Sequence, residues 1–179
     1  MKLRWLTYAV LAICLLVCGR DLAGEGEWEI ATPDYAWDFP EDHWARDGYK
    51  TEWWYFTGHL AAEAGEQFGY QFTFFRVGLL RDRPDVDSEW GTKDLIMGHA
   101  AISRLKGVAG SEGDRHRFSE VVYRAVPMLG GFGTYPDSVV AWSRGPAGTD
   151  GKWTLEWNDE AFDFRASDEG LGFGFALKT

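Results

Sequence analysis

Two aromatic stretches decide the fold: TEWWYFTGHL at residues 51–60 and QFGYQFTFFR at residues 67–76. Successive side chains of a strand point to opposite faces, and both stretches are rich in the aromatic residues that favour strands. Between them, Glu63-Ala64-Gly65 suits a three-residue hairpin loop with the glycine in the left-handed conformation. The pattern therefore predicts a β-hairpin.

The loop length fixes the hairpin register, and a slip by one residue would exchange its two faces. In the predicted register Glu52 lies opposite Arg76, and this structural pair closes one end of the hairpin. One face carries Trp54, Phe56, Phe72 and Phe74. The other face is amphipathic and aromatic, and it suits either a ligand pocket or contact with a second domain. It carries Trp53, Tyr55, Thr57, His59, Gln71, Thr73 and Phe75.

Further strands follow the hairpin at short intervals, with Gly, Asp, Asn and Pro between them. The complete set of predicted strands is 50–60, 67–79, 94–105, 115–126, 139–143, 152–157, 161–166 and 171–177. No stretch sustains a helical period. The sequence therefore predicts an all-β chain, an antiparallel meander closed or nearly closed into a barrel.

The chain divides into three segments. Residues 1–24 have a basic start and a charge-free run from Trp5 to Cys18, which is too short to span a bilayer and fits a signal peptide. The alternatives are an uncleaved anchor that associates with the membrane, lipidation of Cys18, and a buried N-terminal helix. Residues 25–50 are acidic and contain prolines, which predicts an irregular arm. Residues 51–179 form the predicted barrel, which stops in mid-strand and suggests a longer protein.

Composition and motifs exclude several classes of function. The 179 residues carry a net charge of −10, so the domain repels phosphate backbones and nucleic acid is not an expected partner. The chain has no Gly-x-Ser-x-Gly elbow, no P-loop and no His-Glu-x-x-His motif. Its four histidines show no close metal-ligand spacing, so we expect neither a metal nor a cofactor. Both cysteines lie in residues 1–24, so the mature domain has no thiol.

The densest cluster of chemistry-bearing residues is FPEDH at 39–43, followed by YKTEWWYFTG at 49–58. A carboxylate beside an imidazole, as in Asp42 and His43, can fix the tautomer of the ring and raise its basicity. The alternative is structural: residues 39–43 plug the barrel, His43 is hydrogen-bonded and the tryptophans belong to the core.

The stretches at 51–58 and 68–76, with GHAAIS at 98–103, resemble the bacterial carotenoid 1,2-hydratase family, also called hydroxyneurosporene synthase. That family includes the AttH-type "predicted secreted hydrolases". The resemblance runs from about Phe39 to the end of the chain. It implies a lipocalin-like (calycin) barrel that is one half of a two-domain protein, with a second lipocalin-like domain as partner. It also implies cofactor-free addition of water to a terminal alkene of an acyclic carotenoid. The later Asp-His-x-Trp stretch of the family is absent here.

The resulting functional prediction is an exported domain of the periplasm or cell envelope that handles an apolar carotenoid or lipid. The candidate catalytic residues are Asp42, His43 and His99. The candidate ligand-binding residues are Trp53, Tyr55, His59 and Gln71. The rival predictions are a non-enzymatic lipid-binding or transport module and a purely structural half-domain.

Overall fold

The computed structural model describes residues 26–106, 116–169 and 171–178. The predicted N-terminal targeting segment, residues 1–24, lies outside these residues. The described chain contains nine strands and one short 3-10 helix, Glu41–His43. The strands are β1 (Thr51–Ala61), β2 (Gln67–Gly78), β3 (Asp94–Lys106), β4 (His116–Arg124), β5 (Gly130–Phe132), β6 (Val139–Arg144), β7 (Lys152–Trp157), β8 (Ala161–Asp168) and β9 (Leu171–Lys178).

The strands form an antiparallel meander. β1 to β4 make a four-stranded sheet and β5 to β9 a five-stranded sheet, each in sequence order. The all-β, lipocalin-like prediction is confirmed, and the eight predicted strands begin and end within two residues of the observed ones. The hydrogen-bonded pairing divides between β4 and β5 into two sheets. β5 was not predicted, because a three-residue strand with two glycines carries no alternating pattern.

The first hairpin has the predicted register. Glu52 pairs with Arg76, Trp54 with Phe74 and Phe56 with Phe72. Gly65 closes the loop with φ of 84°, a left-handed conformation that glycine adopts without steric cost. Because the register is as predicted, the aromatic residues divide between the two faces as expected.

The core lies between the two sheets and is filled by aromatic rings. Phe72 stacks on Phe164 with ring centroids 4.7 Å apart, and Phe56 packs edge-on to Phe162 at 5.3 Å. Trp153, Phe72, Phe74 and Phe164 are all completely buried. These contacts join the inner face of the first sheet to β7 and β8 of the second. The space between the sheets is therefore occupied by the protein's own side chains.

Residues 26–50 form an arm beside β1 that contains one short 3-10 helix and is otherwise irregular. A bridge between Glu29 and Tyr49 links two parts of the arm. The arm is joined to β1 by the indole of Trp54, which donates to the His43 carbonyl at 2.8 Å. Trp44 is buried and donates to the carbonyl of Val139 at 3.1 Å. Within the described residues, no helix has the length and apolar character needed to span a bilayer.

Candidate functional site

A cleft of about 520 Å³ lies between the arm and β1. One wall comes from the arm, with Tyr35, Trp37 and Phe39 among its rings. The opposite wall is β1, which is an edge strand and exposes residues from both of its faces. The β1 lining is Thr51, Glu52, Trp53, Trp54, Tyr55 and Phe56. The volume falls within the range of about 300–1,000 Å³ that is usual for small-molecule sites.

His43 lines this cleft, and three aromatic rings surround its imidazole. The imidazole centroid is 4.7 Å from Phe39, 4.5 Å from Trp157 and 4.8 Å from Phe162. Within the described residues, the ring nitrogens of His43 make no hydrogen bond to protein. Burial among the rings lowers the pKa of His43, and the Asp42 carboxylate only partly opposes this shift. The ring is therefore neutral at pH 7 and can both donate and accept one hydrogen bond.

The Asp42 carboxylate is held by groups other than His43. It accepts from the Tyr35 hydroxyl at 2.7 Å and from the Asp38 backbone N–H at 2.6 Å. Burial raises the pKa of Asp42, but these hydrogen bonds and the charge of Arg46 lower it more, so the net shift is downward. The expected hydrogen-bonded pair of Asp42 and His43 is therefore not formed, although both residues line the same cleft.

A buried ionic network fastens the arm to the first sheet. Arg76 donates from Nε to Glu52 at 3.0 Å and from Nη1 to Asp94 at 2.8 Å. Its Nη2 donates to the backbone carbonyls of Arg46, at 2.8 Å, and of Tyr49. Burial raises the pKa of Asp94, and the attraction of Arg76 offsets only part of that shift. Because Arg76 bonds to Glu52 and Asp94 of the sheet and to two arm carbonyls, it links the arm to the first sheet.

Arg46 extends this network into the cleft. Its backbone N–H and Nε both donate to Glu52, at 2.8 and 2.9 Å. Its guanidinium carbon lies 5.3 Å from the Tyr35 ring centroid, 4.9 Å from that of Trp37 and 5.1 Å from that of Tyr49. A cation over aromatic faces is attracted by the ring quadrupoles. Arg46 therefore holds three arm rings in place.

His99, His59 and Gln71 lie elsewhere, on the outer face of the first sheet. His99 Nε2 is 3.0 Å from Glu120 Oε2, so the carboxylate–imidazole pair occurs here and not at His43. Trp53 and Tyr55 lie at the border, because they line the cleft and also belong to this outer face. The structure thus brings together five of the predicted site residues at the cleft: Asp42, His43, Glu52, Trp53 and Tyr55.

Sequence reasoning missed Arg46, Tyr35 and Asp94. The arm has no periodic pattern, so nothing in the sequence placed Tyr35 or Arg46 against β1. Asp94 is the first residue of β3, and only the pairing of Gly78 with Asp94 reveals that it lies near Arg76. A buried arginine predicted opposite one glutamate does signal a need for further acceptors, because guanidinium has five donors.

A second cleft, also of about 520 Å³, lies between the loop before β3 and β5. Its lining includes Asp47, Lys93 and the glycines at 130 and 131. Lys93 is paired with Asp47 at 2.6 Å, so its charge is already neutralised. Among the described residues, no group of three or more His, Cys, Asp or Glu side chains is placed to hold a metal ion.

The meander of two packed sheets and the aromatic cleft at its edge define a lipocalin-like β domain. The family model described as AttH-like matches residues 30–179, and the chain belongs to that family. A crystal structure of a protein assigned to AttH, from Nitrosomonas europaea, is 23% identical to this chain and has a TM-score of 0.43. The match covers 78% of this chain and 41% of that one, so the chain spans less than half of that protein's length. Among curated proteins, none matches the chain.

Proposed function

We propose that this chain binds a long apolar molecule, a carotenoid or another lipid, in the cleft between the arm and β1. The observation that carries the proposal is the position of the aromatic surface. The space between the sheets is filled by Phe72, Phe164 and Trp153, whereas the cleft is open and lined with rings. A lipid can therefore be accommodated at the edge of the domain and not in its interior.

The proposal includes the resemblance to carotenoid 1,2-hydratases. Adding water to an alkene needs a strong general acid and a surface that stabilises a carbocation. The faces of Trp53, Trp54 and Tyr55 suit the second task. The lowered pKa of Asp42 makes it a poor proton donor, so we assign the acid to a second lipocalin-like domain. In this proposal the chain is the N-terminal domain of an exported, cofactor-free hydratase.

The second candidate function is a non-enzymatic lipid-binding module of the cell envelope. The electrostatics of the cleft favour it, because Asp42 is held as the carboxylate and His43 as the neutral imidazole. Neither state is that of a strong acid. Hydration of an acyclic carotenoid by the longer protein would favour the enzyme, and saturable binding without turnover would favour the module.

The outer face of the first sheet supports a second domain as partner. Five rows of four residues cross β1 to β4 on this face, and only Glu120 and Arg124 among them are charged. Depletion of charge is typical of the centre of a protein interface. Large side chains on this face are exposed: Trp53 by 64%, Tyr55 by 52%, Phe118 by 54% and Val122 by 51%.

The experiment that tests the proposed function is a titration of tryptophan fluorescence with an acyclic carotenoid. We expect saturable quenching, because several tryptophans lie in or beside the cleft. Replacing Trp53 and Tyr55 together by Ala should weaken binding by at least ~1 kcal/mol, since two ring contacts are lost. Trp90→Ala is the matched control, because Trp90 is exposed to a similar degree but lies outside the cleft lining. Unchanged affinity in the double variant would refute the assignment of the cleft.

A further inference from the structure

The His43 side chain is a polar group placed among apolar ones. Its ring is within 5 Å of the Phe39, Trp157 and Phe162 centroids, and within the described residues its nitrogens have no protein partner. The chain around it is tied down, because the His43 carbonyl accepts from Trp54 and its N–H donates to the Pro40 carbonyl at 2.9 Å. The imidazole is therefore held in position with unused hydrogen-bonding capacity.

The charges that line the cleft are mostly neutralised by one another. Arg46, the cation in the lining, is bonded to Glu52 at 2.9 Å and lies 4.0 Å from Asp42. In the connected network, Asp42, Glu52 and Asp94 carry one negative charge more than Arg46 and Arg76 supply. A ligand anion in the cleft would meet a network of net negative charge whose two cations are already paired.

We propose that the cleft selects long apolar molecules that carry one uncharged hydroxyl, and that His43 is the residue that receives this hydroxyl. This inference rests on the proposed binding of an apolar molecule in the cleft, and it adds the chemical group by which ligands are distinguished. The alkyl or polyene part lies against Trp53, Tyr55 and Phe56, and the hydroxyl reaches the imidazole.

The hydrogen-bonding capacities of the His43 imidazole and of a ligand hydroxyl match each other. A neutral imidazole offers one N–H donor and one nitrogen acceptor, and a hydroxyl can pair with either of them, whichever tautomer is present. A carboxylate can only accept, and it adds a negative charge beside Asp42 and Glu52. A hydrocarbon that displaces water from the half-buried imidazole leaves the ring nitrogens without a partner, which is unfavourable. An alcohol therefore satisfies His43 without electrostatic repulsion.

The test compares three ligands of equal chain length, dodecane, 1-dodecanol and dodecanoate at pH 8. Each is measured by its displacement of the uncharged dye N-phenyl-1-naphthylamine. We expect 1-dodecanol to bind about tenfold more tightly than dodecanoate, because the anion meets the two carboxylates. His43→Phe should weaken 1-dodecanol about threefold to tenfold, the usual effect of losing one hydrogen bond, and should not weaken dodecane.

Two further variants make the result specific. His43→Gln keeps a donor and an acceptor, so it should retain part of the preference for the alcohol. His116→Phe is the matched control, because His116 is exposed on β4 and lies outside the cleft lining. Binding of dodecane by His43→Phe shows that this variant is folded.

The outcomes separate this inference from the function on which it rests. If none of the three ligands displaces the dye, the proposed lipid-binding function fails. If dodecane and 1-dodecanol bind but His43→Phe changes both equally, only the assignment of His43 fails. Dodecanoate binding as tightly as 1-dodecanol would overturn the proposed selection for an uncharged group.

Discussion

Replacing Arg76 by Met should be among the most destabilising single changes in the domain. Arg76 is 1% exposed, and its guanidinium donates hydrogen bonds to Glu52, Asp94 and two backbone carbonyls of the arm. Its removal leaves the largely buried Asp94 carboxylate without its counter-charge and leaves Glu52 with Arg46 alone. Breaking a buried ion pair in this way costs about 3–5 kcal/mol. A typical domain has a total stability of only about 5–15 kcal/mol, so the variant should be marginal.

The assay is urea denaturation followed by tryptophan fluorescence. With a slope of about 2 kcal/mol per M, a loss of about 4 kcal/mol lowers the midpoint by about 2 M. Glu52→Gln should cost less, because Arg76 keeps its bond to Asp94. The double variant should lose less than the sum of the two single losses, since the residues share one network. Arg104→Met is the control, because Arg104 is partly exposed and 3.7 Å from Glu66.

Acidification should partly rescue Arg76→Met. The pKa of Asp94 is already raised above 3.8 in the folded protein, and removing Arg76 raises it further. A carboxyl with a raised folded pKa contributes stability that is present at low pH and lost as the pH rises through that pKa. The gap between wild type and variant should therefore narrow as the pH falls from 7 towards the raised pKa. Strictly additive losses below about 1 kcal/mol each, with no dependence on pH, would refute the network.

The other predictions concern the core and His43. Gly98→Ala should cost about 1–3 kcal/mol, because the new Cβ would lie 2.9–3.1 Å from Val121, Trp153 and Phe74. In the same urea assay Gly131→Ala should be milder, since its nearest neighbour is 3.7 Å away, and equal losses would contradict the packing described. Because burial lowers the pKa of His43 from 6.5, the unfolded chain takes up this proton first, and the free energy of unfolding should fall as pH decreases below about 6.5. His43→Phe should reduce that fall between pH 7.5 and 5.5, and an identical pH dependence in both proteins would contradict the lowered pKa of His43.

Much of the fold could be predicted from the sequence because the first hairpin has a strong alternating pattern and a loop with one favourable glycine position. The register followed from these two features, and with it the pairing of Glu52 and Arg76. The division into two sheets could not be predicted, since it depends on β5, whose glycines carry no pattern. Thr73 shows a related limit, because it lies on the outer face as predicted but is 1% exposed.

The site was harder to predict than the fold. Asp42 and His43 are adjacent in sequence, which suggested a pair, but the carboxylate bonds to Tyr35 and to the Asp38 backbone instead. The positions of Trp53 and Tyr55 on one face of β1 could be predicted because both belong to a regular strand. Tyr35 and Arg46 belong to an irregular segment, whose position depends on contacts that are distant in sequence, such as the bond from Arg76 to the Arg46 carbonyl.

The two walls of the cleft differ in the way the chain specifies them. β1 is fixed by its hydrogen bonds to β2, so a length change there would shift a whole register. The arm is irregular backbone anchored at a few points, so insertions or exchanges between those anchors leave the sheets unchanged. Within one scaffold, the shape of the cleft can therefore diverge through residues 31–43 alone. The arm side of the cleft can therefore vary in sequence at less cost to the sheets than the β1 side, where Trp53 and Tyr55 belong to the first hairpin.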